Sequence, residues 1–375
     1  VKRTIKLELP VSPKVFLPTI DAYTKAYNFV CSVGFSQKDF NQFSLHYKTY
    51  KILTTYLPAQ FAISSRMKAY ETLKSVKHLI KKDKIECPKS KRCSIRYDAR
   101  SFTTSFDKNM ISLLTINGRV KVPIQVPKYF QKYLTWRRKS AELFIRKNKV
   151  YINIVFDKSN PEVKPSGITI GIDRGINNIA VASNNKFYSG KQVKRICNKY
   201  NKLKSSLQSC GSKSAKRHLK KLSGRENRFK TDANHRISKE IIANLPEGSV
   251  IVLEDLRGIR SKKRGKKLNK MIGTWTYFQL EQFLTYKAEE KGIQVVKVDP
   301  HFTSQKCSKC GHTEKKNRIG NNFKCCACGF RLNADLNASR NILQLHLVAI
   351  SNQTGVSVNN PIVSTQHFVE LETSH

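Results

Sequence analysis

Residues 4–9, TIKLEL, alternate apolar and polar side chains, the period of a half-buried strand. From about 13 to 85 the spacing changes to threes and fours. The segment LPAQFAISSRMKAYETLKSVKHLIKK repeats apolar residues at that helical interval and ends in a basic run. Strand-like alternation returns between 85 and 165, in CSIRYDARSFTTSF, MISLLTI, RVKVPIQV and AELFIRKNKVYINIVF. Turn signals at NG (117–118) and KNK (147–149) separate these runs. An early strand, a helical block and then several strands predict a β-barrel with a helical insertion. Two consecutive small domains fit the same pattern.

SNPEVKPSG (159–167), with two prolines and a glycine in nine residues, reads as a linker. Beyond it the pattern predicts strands at about 168–173, 178–183 and 186–189, then a long basic helical stretch over roughly 191–245. A strand at 249–256, a helix at about 274–291, a strand at 293–298 and a last helix from near Asp335 follow. With the cysteine-rich segment before Asp335 set aside, this is the element order of an RNase H-type α/β fold. Residues 351–375 hold no Lys or Arg and show no sustained periodicity, so a mobile tail is expected there.

Charge narrows the partner. Lys and Arg total 70 against 26 Asp and Glu, a formal charge of +44, and self-repulsion of that size calls for a polyanion. No long apolar span is present, so a membrane is not the expected partner. The first residues, VKRTIKLELPVSP, lack the apolar core of a secretory signal, so none is expected. Nucleic acid remains, and the excess charge suits a long or branched one.

Two stretches concentrate the cations. Residues 191–230 hold 14 Lys or Arg and one acid, Glu226, at a spacing that suits a basic helical hairpin broken near Gly211. Lys194, Arg195, Lys216, Arg217, Lys220, Lys221 and Arg228 are its candidate nucleic-acid contacts. Residues 260–270, RSKKRGKKLNK, hold seven cations and no acid, with Lys262, Lys263 and Arg264 as candidates on a substrate-side loop. A solvated charged face is the plain alternative for both, and a nuclear-import signal a third for the second. Tyr47, Tyr50, Tyr56, Tyr70 and Trp136 interleave with cations and suit either base stacking or core packing.

Against this excess of cations, three acids draw attention. Asp173 ends the strand of GIDRGINNIAV, where it could equally be a turn residue. In VIVLED, alternation puts Val250, Val252 and Glu254 on one face and Ile251, Leu253 and Asp255 on the other. Either acid alone could be strand-end solvation. Asp335 opens the last helix, where an N-terminal acid is also a simple cap. In the RNase H-type order, carboxylates from the first strand, the fourth strand and the last helix converge on one sheet edge. Three such groups suit two Mg²⁺ ions for in-line phosphodiester hydrolysis, because hard cations take oxygen ligands.

Five of ten cysteines fall within 307–328. CSKCG (307–311) and CCACG (325–329) give two C-x₂-C pairs separated by fourteen residues, the spacing of a closed, structural Zn²⁺ site. Cys307, Cys310, Cys325 and Cys328 are the expected ligands. Cys326 competes in sequence but breaks the repeat, and redox or metal-free thiols are the alternative reading.

GIDRGINNIAVAS, VIVLEDLRGI, YKAEEKGIQVVKVDPHFTSQKCSKCG and CCACGFRLNADLNASRNIL together resemble the TnpB family of insertion-sequence-encoded, RNA-guided nucleases, relatives of the compact type V CRISPR effectors. LPAQFA and INGRVKVPI resemble its N-terminal half. The resemblance covers essentially residues 1–350. It implies a multidomain α+β chain: a wedge-type β-barrel (1–12 and 86–160) carrying a helical recognition insertion (13–85). A RuvC-like, RNase H-like α/β nuclease domain follows (161–302 and 332–350), interrupted by a zinc-ribbon-like element (303–331), with a tail at 351–375.

It further implies that Asp173, Glu254 and Asp335 are the catalytic acids, with two Mg²⁺ and one structural Zn²⁺ as cofactors. The implied partners are a guide RNA and target double-stranded DNA, cut beside a short motif that the barrel and helices read. Gln60, Ser64 and Lys68, on one face of their helix, are candidate contacts to that DNA. A type V CRISPR effector, a transposase that also joins strands, and a repressor that binds without cutting are the alternatives. The expected location is the cytoplasm and nucleoid in a prokaryote, or the nucleus for a eukaryotic relative.

Overall fold

The computed structural model describes residues 1–82, 84–161, 167–259, 265, 269, 272–273 and 276–354. The chain divides into two compact units, 1–159 and 160–375.

In the first unit, β1 (Lys2–Leu9) buries every second residue, and Ile5, Leu7 and Leu9 face the core. It pairs antiparallel with β7 (Lys149–Asp157), which pairs with β6 (Arg137–Arg146); β6 in turn pairs with β2 (Ile95–Tyr97). A second sheet is a meander of β3 (Phe102–Ser105), β4 (Met110–Thr115) and β5 (Gly118–Pro123). The expected barrel is therefore two open antiparallel sheets; among the described residues no strand pairing closes them into a ring. The cause is local. β2 lasts three residues, and then the Asp98 carboxylate accepts the N–H groups of Arg100 and Ser101, turning the chain out of the first sheet. Both sheets still share one core, through Tyr97, Phe102, Ile111, Leu113 and Phe156.

The helical block is three helices: α1 (Leu17–Ser36), α2 (Gln42–Leu53) and α3 (Ala59–Ile80). Asn41 starts α2 by accepting the N–H groups of Phe43 and Ser44, and Pro58 precedes α3. α1 and α3 bury Tyr23 against Phe61, and Phe61 against Tyr97.

The second unit is built on a five-stranded sheet in the order β10-β9-β8-β11-β12. β8 (Thr169–Asp173), β9 (Asn178–Ala182) and β10 (Phe187–Ser189) are antiparallel neighbours. β11 (Val250–Glu254) runs parallel to β8, and β12 (Gln294–Val298) parallel to β11. Ile170, Ile172, Ile251 and Leu253 form one core with Ile241 and Ile242 of α5 (Lys213–Ala243) and Leu280 and Leu284 of α6 (Tyr277–Glu290). Val250 and Val252 pack on the other face with Ile342 of α7 (Ala334–Thr354). α7 continues four residues beyond the expected boundary at 350, and the expected tail from 355 onward lies outside the described residues.

α4 (Lys191–Cys210) ends at Gly211, whose φ of +63° suits glycine, and α5 starts two residues later. Glu226, the one acid within residues 191–230, is buried and pairs with Lys204 of α4 and Lys230 of α5. Among the described residues no helix is long and apolar enough to cross a membrane.

Candidate active site and metal centre

Parallel pairing fixes the first two acids. Val252 aligns with Gly171 and Leu253 with Ile172, so Glu254 and Asp173 end adjacent strands one residue further on. By the two-residue period they share the face of Gly171 and Val252, the face that α7 covers. A Cβ on Gly171 would lie 2.2 Å from the Ser339 carbonyl oxygen and 2.7 Å from the Leu343 nitrogen. This backbone-to-backbone approach lays α7 on β8 and brings Asp335, in its first turn, to the strand ends. Asp255 faces away and pairs with exposed Arg257, which separates the two acids that the sequence left open.

Asp173 feels both of the other carboxyl groups. Burial, with the charges of Glu254 and Asp335 close by, pushes the Asp173 carboxyl up to about 8. Burial also raises Glu254, partly offset by the hydroxyl of Thr303, which donates to Glu254 Oε1. Asn178 Nδ2 donates to Asp335 Oδ2 at 3.0 Å, and Arg318 Nη2 to Asp335 Oδ1 at 2.9 Å. Behind Glu254, buried Arg174 donates to the Glu254 main-chain oxygen and, at 2.7 Å, to Glu281 Oε2. Glu281 also pairs with Lys297. Three neighbouring, largely buried carboxyl groups are a hard-oxygen donor set, which fits Mg²⁺ or a similar divalent ion.

The cysteine centre has different chemistry. The Sγ atoms of Cys307, Cys310, Cys325 and Cys328 lie within 4.8 Å of one another, with 3.8 Å between Cys307 and Cys328 and 3.5 Å between Cys310 and Cys325. A tetrahedral zinc with bonds of about 2.3 Å places its sulfurs about 3.8 Å apart, so the cluster fits that ion. The two knuckles repeat each other: Gly311 N bonds Cys307 O and Cys307 N bonds His312 O, as Gly329 N bonds Cys325 O and Cys325 N bonds Phe330 O. Cys326 stands outside; its backbone N–H goes to Asn317 Oδ1 and its side chain is exposed. A small sheet of β13 (Arg318–Ile319), β14 (Asn322–Lys324) and β15 (Arg331–Asn333) completes the element.

Buried asparagines tie this element to α7. Asn337 accepts from Ser308 N and donates to Lys306 O, while Asn341 donates to the carbonyls of Thr303 and Lys306. These bonds position Thr303 beside Glu254 and, through the cysteine element, Arg318 beside Asp335. Sequence reasoning missed Thr303, Arg318, Asn337 and Asn341. The asparagines had a signal: two amides four residues apart, on one face of the last helix.

Other candidates lie apart from the acids. Lys194, Arg195, Lys216, Arg217, Lys220, Lys221 and Arg228 are exposed on α4 and α5. Lys262, Lys263 and Arg264 lie outside the described residues. In the first unit, Ser64 accepts from Tyr23 and donates to Arg96 O, and Lys68 is bound to Ser94 and Glu142. Those polar groups are engaged internally; Gln60, one turn before Ser64, is half-buried.

A family model described as "Probable transposase" matches residues 153–258, and one described as "Cas12f1-like, TNB domain" matches 277–342. A TnpB-like protein of Methanocaldococcus jannaschii is 27% identical over 260 residues, 64% of this chain and 91% of that protein. A TnpB-like protein of Aquifex aeolicus is 28% identical over 58% of this chain and 80% of its own length. The chain is thus similar to TnpB-like proteins over more than half of its length. It is also 47% identical over 117 residues to a CRISPR-associated endodeoxyribonuclease Cas12f1 of Sulfoacidibacillus thermotolerans, over 30% of this chain. The match spans about a quarter of that relative's length (26%) and about half (53%) of another curated relative, from Escherichia coli. Among solved structures, a Cas12f1-sgRNA-target DNA complex aligns with 91% of this chain and 98% of its own at a TM-score of 0.63 and 16% identity. That likeness is one of fold.

Proposed function

We propose that the chain is an RNA-guided, divalent-metal-dependent DNA endonuclease that hydrolyses guide-matched DNA beside a short target-adjacent motif and belongs to a transposable element. The observation that carries this reading is the convergence of Asp173, Glu254 and Asp335 on one sheet edge, in a chain whose net charge is +44. The carboxylates would hold two Mg²⁺ ions, which supply water activation and stabilisation of the leaving oxygen. Asn178 and Arg318 orient Asp335, Thr303 orients Glu254, and Arg174 fixes the end of β11. The four cysteines would hold one structural Zn²⁺ that keeps Thr303 and Arg318 in place. The exposed cations of α4 and α5 would follow a nucleic-acid backbone. Residues 1–159 would serve as the wedge and recognition parts.

The test begins with sequencing the RNA that co-purifies with the protein. A plasmid matched to its variable segment, with Mg²⁺, should be cut. Asp173→Ala, Glu254→Gln and Asp335→Ala should each abolish cutting without loss of fold. If all three cut normally, other groups hold the metals and the assignment is wrong. Binding of matched DNA without cutting would mark a repressor, and strand joining a transposase.

A further inference from the structure

One face of α2 is not explained by packing within its unit. Leu45, Thr49 and Leu53 are buried, yet on the outer side Phe43 is 65% exposed and Tyr47, one turn later, 82% exposed. Lys51 continues the same line at the next turn and is exposed. Phe43 also borders an open cavity of about 570 Å³, together with Phe40, Tyr70, Lys38, Lys77 and Lys81.

The electrostatics of this cavity favour an anion. Its one lining acid, Asp39, is already engaged, accepting from Lys48 Nζ at 2.7 Å, Ser44 Oγ at 2.6 Å and Asn41 N at 3.0 Å. The three lining lysines are exposed, and Lys77 sits 5.5 Å from the centre of the Phe40 ring. Beneath the start of α2, Arg66 is buried to 8% exposure. Its Nη1 donates to the Gln42 carbonyl at 2.6 Å, its Nε has no partner, and no acid pairs with it among the described residues. That guanidinium adds positive charge under the floor of the site.

We propose that this face and cavity bind an unpaired nucleic-acid strand. Phe43 and Tyr47 stack on bases, and Lys38, Lys77 and Lys81 hold the phosphates. Two rings four residues apart, about 6 Å along the axis, present successive platforms, and every base has a face to place on them. A duplex keeps its base faces stacked internally and cannot use the rings. An apolar protein surface would use the rings but leave the lysines and Arg66 uncompensated. The inference rests on the reading of the chain as a nucleic-acid enzyme and specifies where, in the first unit, a single strand is held.

The test uses the full chain and local readouts. A 20-nucleotide RNA carrying 5-iodouracil and its DNA counterpart are photo-crosslinked to the protein in separate arms, and the adducts are mapped by mass spectrometry. Adducts at Phe43 or Tyr47 are expected, and the arm that gives them identifies the strand as RNA or DNA. Phe43→Ala with Tyr47→Ala should weaken single-strand binding roughly ten-fold or more. Lys77→Gln with Lys81→Gln should reduce the log–log salt slope by about 1.4. Both variants should melt as the parent does, since all four side chains are exposed. Adducts confined to other surfaces, unchanged affinity of the aromatic variant, equal competition by duplex, or a dimer dissolved by the aromatic variant would each overturn the proposal. Guided cleavage is scored separately. Its absence with these adducts present defeats the nuclease reading alone, and its presence without them defeats the platform alone.

Discussion

Gly171 of β8 and Ser339 of α7 meet backbone to backbone, with no room for a side chain between them. The contact sets the distance from strand to helix on which the approach of Asp335 to Asp173 depends. Gly171→Ala is expected to push α7 outward, costing about 1–3 kcal/mol of stability. It should also remove most of the cleavage, because the acids would no longer share their ions. Thermal denaturation read beside plasmid cutting checks both halves; a variant as stable and active as the parent would show that the helix is placed by other contacts.

Arg318 comes from the segment between the two cysteine knuckles, yet its guanidinium lies on Asp335. An arginine there holds the Asp335 carboxyl in one orientation without being a metal ligand. Arg318→Ala is expected to lower metal affinity or cleavage by about 10–100-fold while zinc content and melting stay unchanged. A Mg²⁺ titration of the cleavage rate separates the two effects. Lysine at this position should restore the charge but not the geometry, giving partial recovery.

How far the sequence could be read follows from which contacts are local. The pattern of VIVLED placed Glu254 on a defined strand face because a two-residue period needs no tertiary information, and the structure has β11 at Val250–Glu254. The cysteine knuckles were legible for the same reason, each being a five-residue turn. Arg318 and Thr303 were not. Arg318 is 17 residues from Asp335 and Thr303 is 49 from Glu254, and neither spacing is periodic. Closure of the N-terminal strands into a barrel was also illegible, since alternation gives faces but says nothing of which edges pair. Gly171 opens GIDRGINNIAV, but its meaning depends on a helix more than 160 residues away.

Arg174 follows Asp173 and is nearly inaccessible, with 1% of its side chain exposed. It ties the ends of β8 and β11 to Glu281 of α6. Removing one member of a buried pair strands the other, so Arg174→Met is expected to cost about 3 kcal/mol or more. Lys297, also paired with Glu281, moderates the loss. Chemical denaturation measures it, and a double variant with Glu281→Gln should recover part of the stability.

The Asp173 carboxyl gives a pH dependence with a definite sign. Its value is about 8 in the fold against 3.8 ordinarily, so folding favours the protonated form. The stability it contributes is therefore complete below pH about 4 and is lost as the pH rises towards about 8. In Mg²⁺-free buffer, with the zinc retained, the melting temperature relative to Asp173→Asn should fall between pH 5 and 8. Added Mg²⁺ should reverse that difference at the alkaline end, because the ion neutralises the carboxylates. Parallel pH profiles for the two proteins would show instead that Asp173 does not titrate in this range.

The cysteine centre separates two roles that one motif could have confused. Cys307→Ser or Cys325→Ser removes a buried ligand of the tetrahedron, and either is expected to abolish stoichiometric zinc in elemental analysis. Cys326→Ser should leave zinc at one per chain, since that thiol stands outside the cluster. The zinc-free variants should also lose cleavage although all three acids remain. Asn337 and Asn341 hold segment 303–308 on α7 only while the knuckles are folded, and Thr303 and Arg318 reach the acids through that segment and its continuation. A zinc-free protein that still cut matched DNA at the parent rate would break this link and leave the cysteines a role in stability alone.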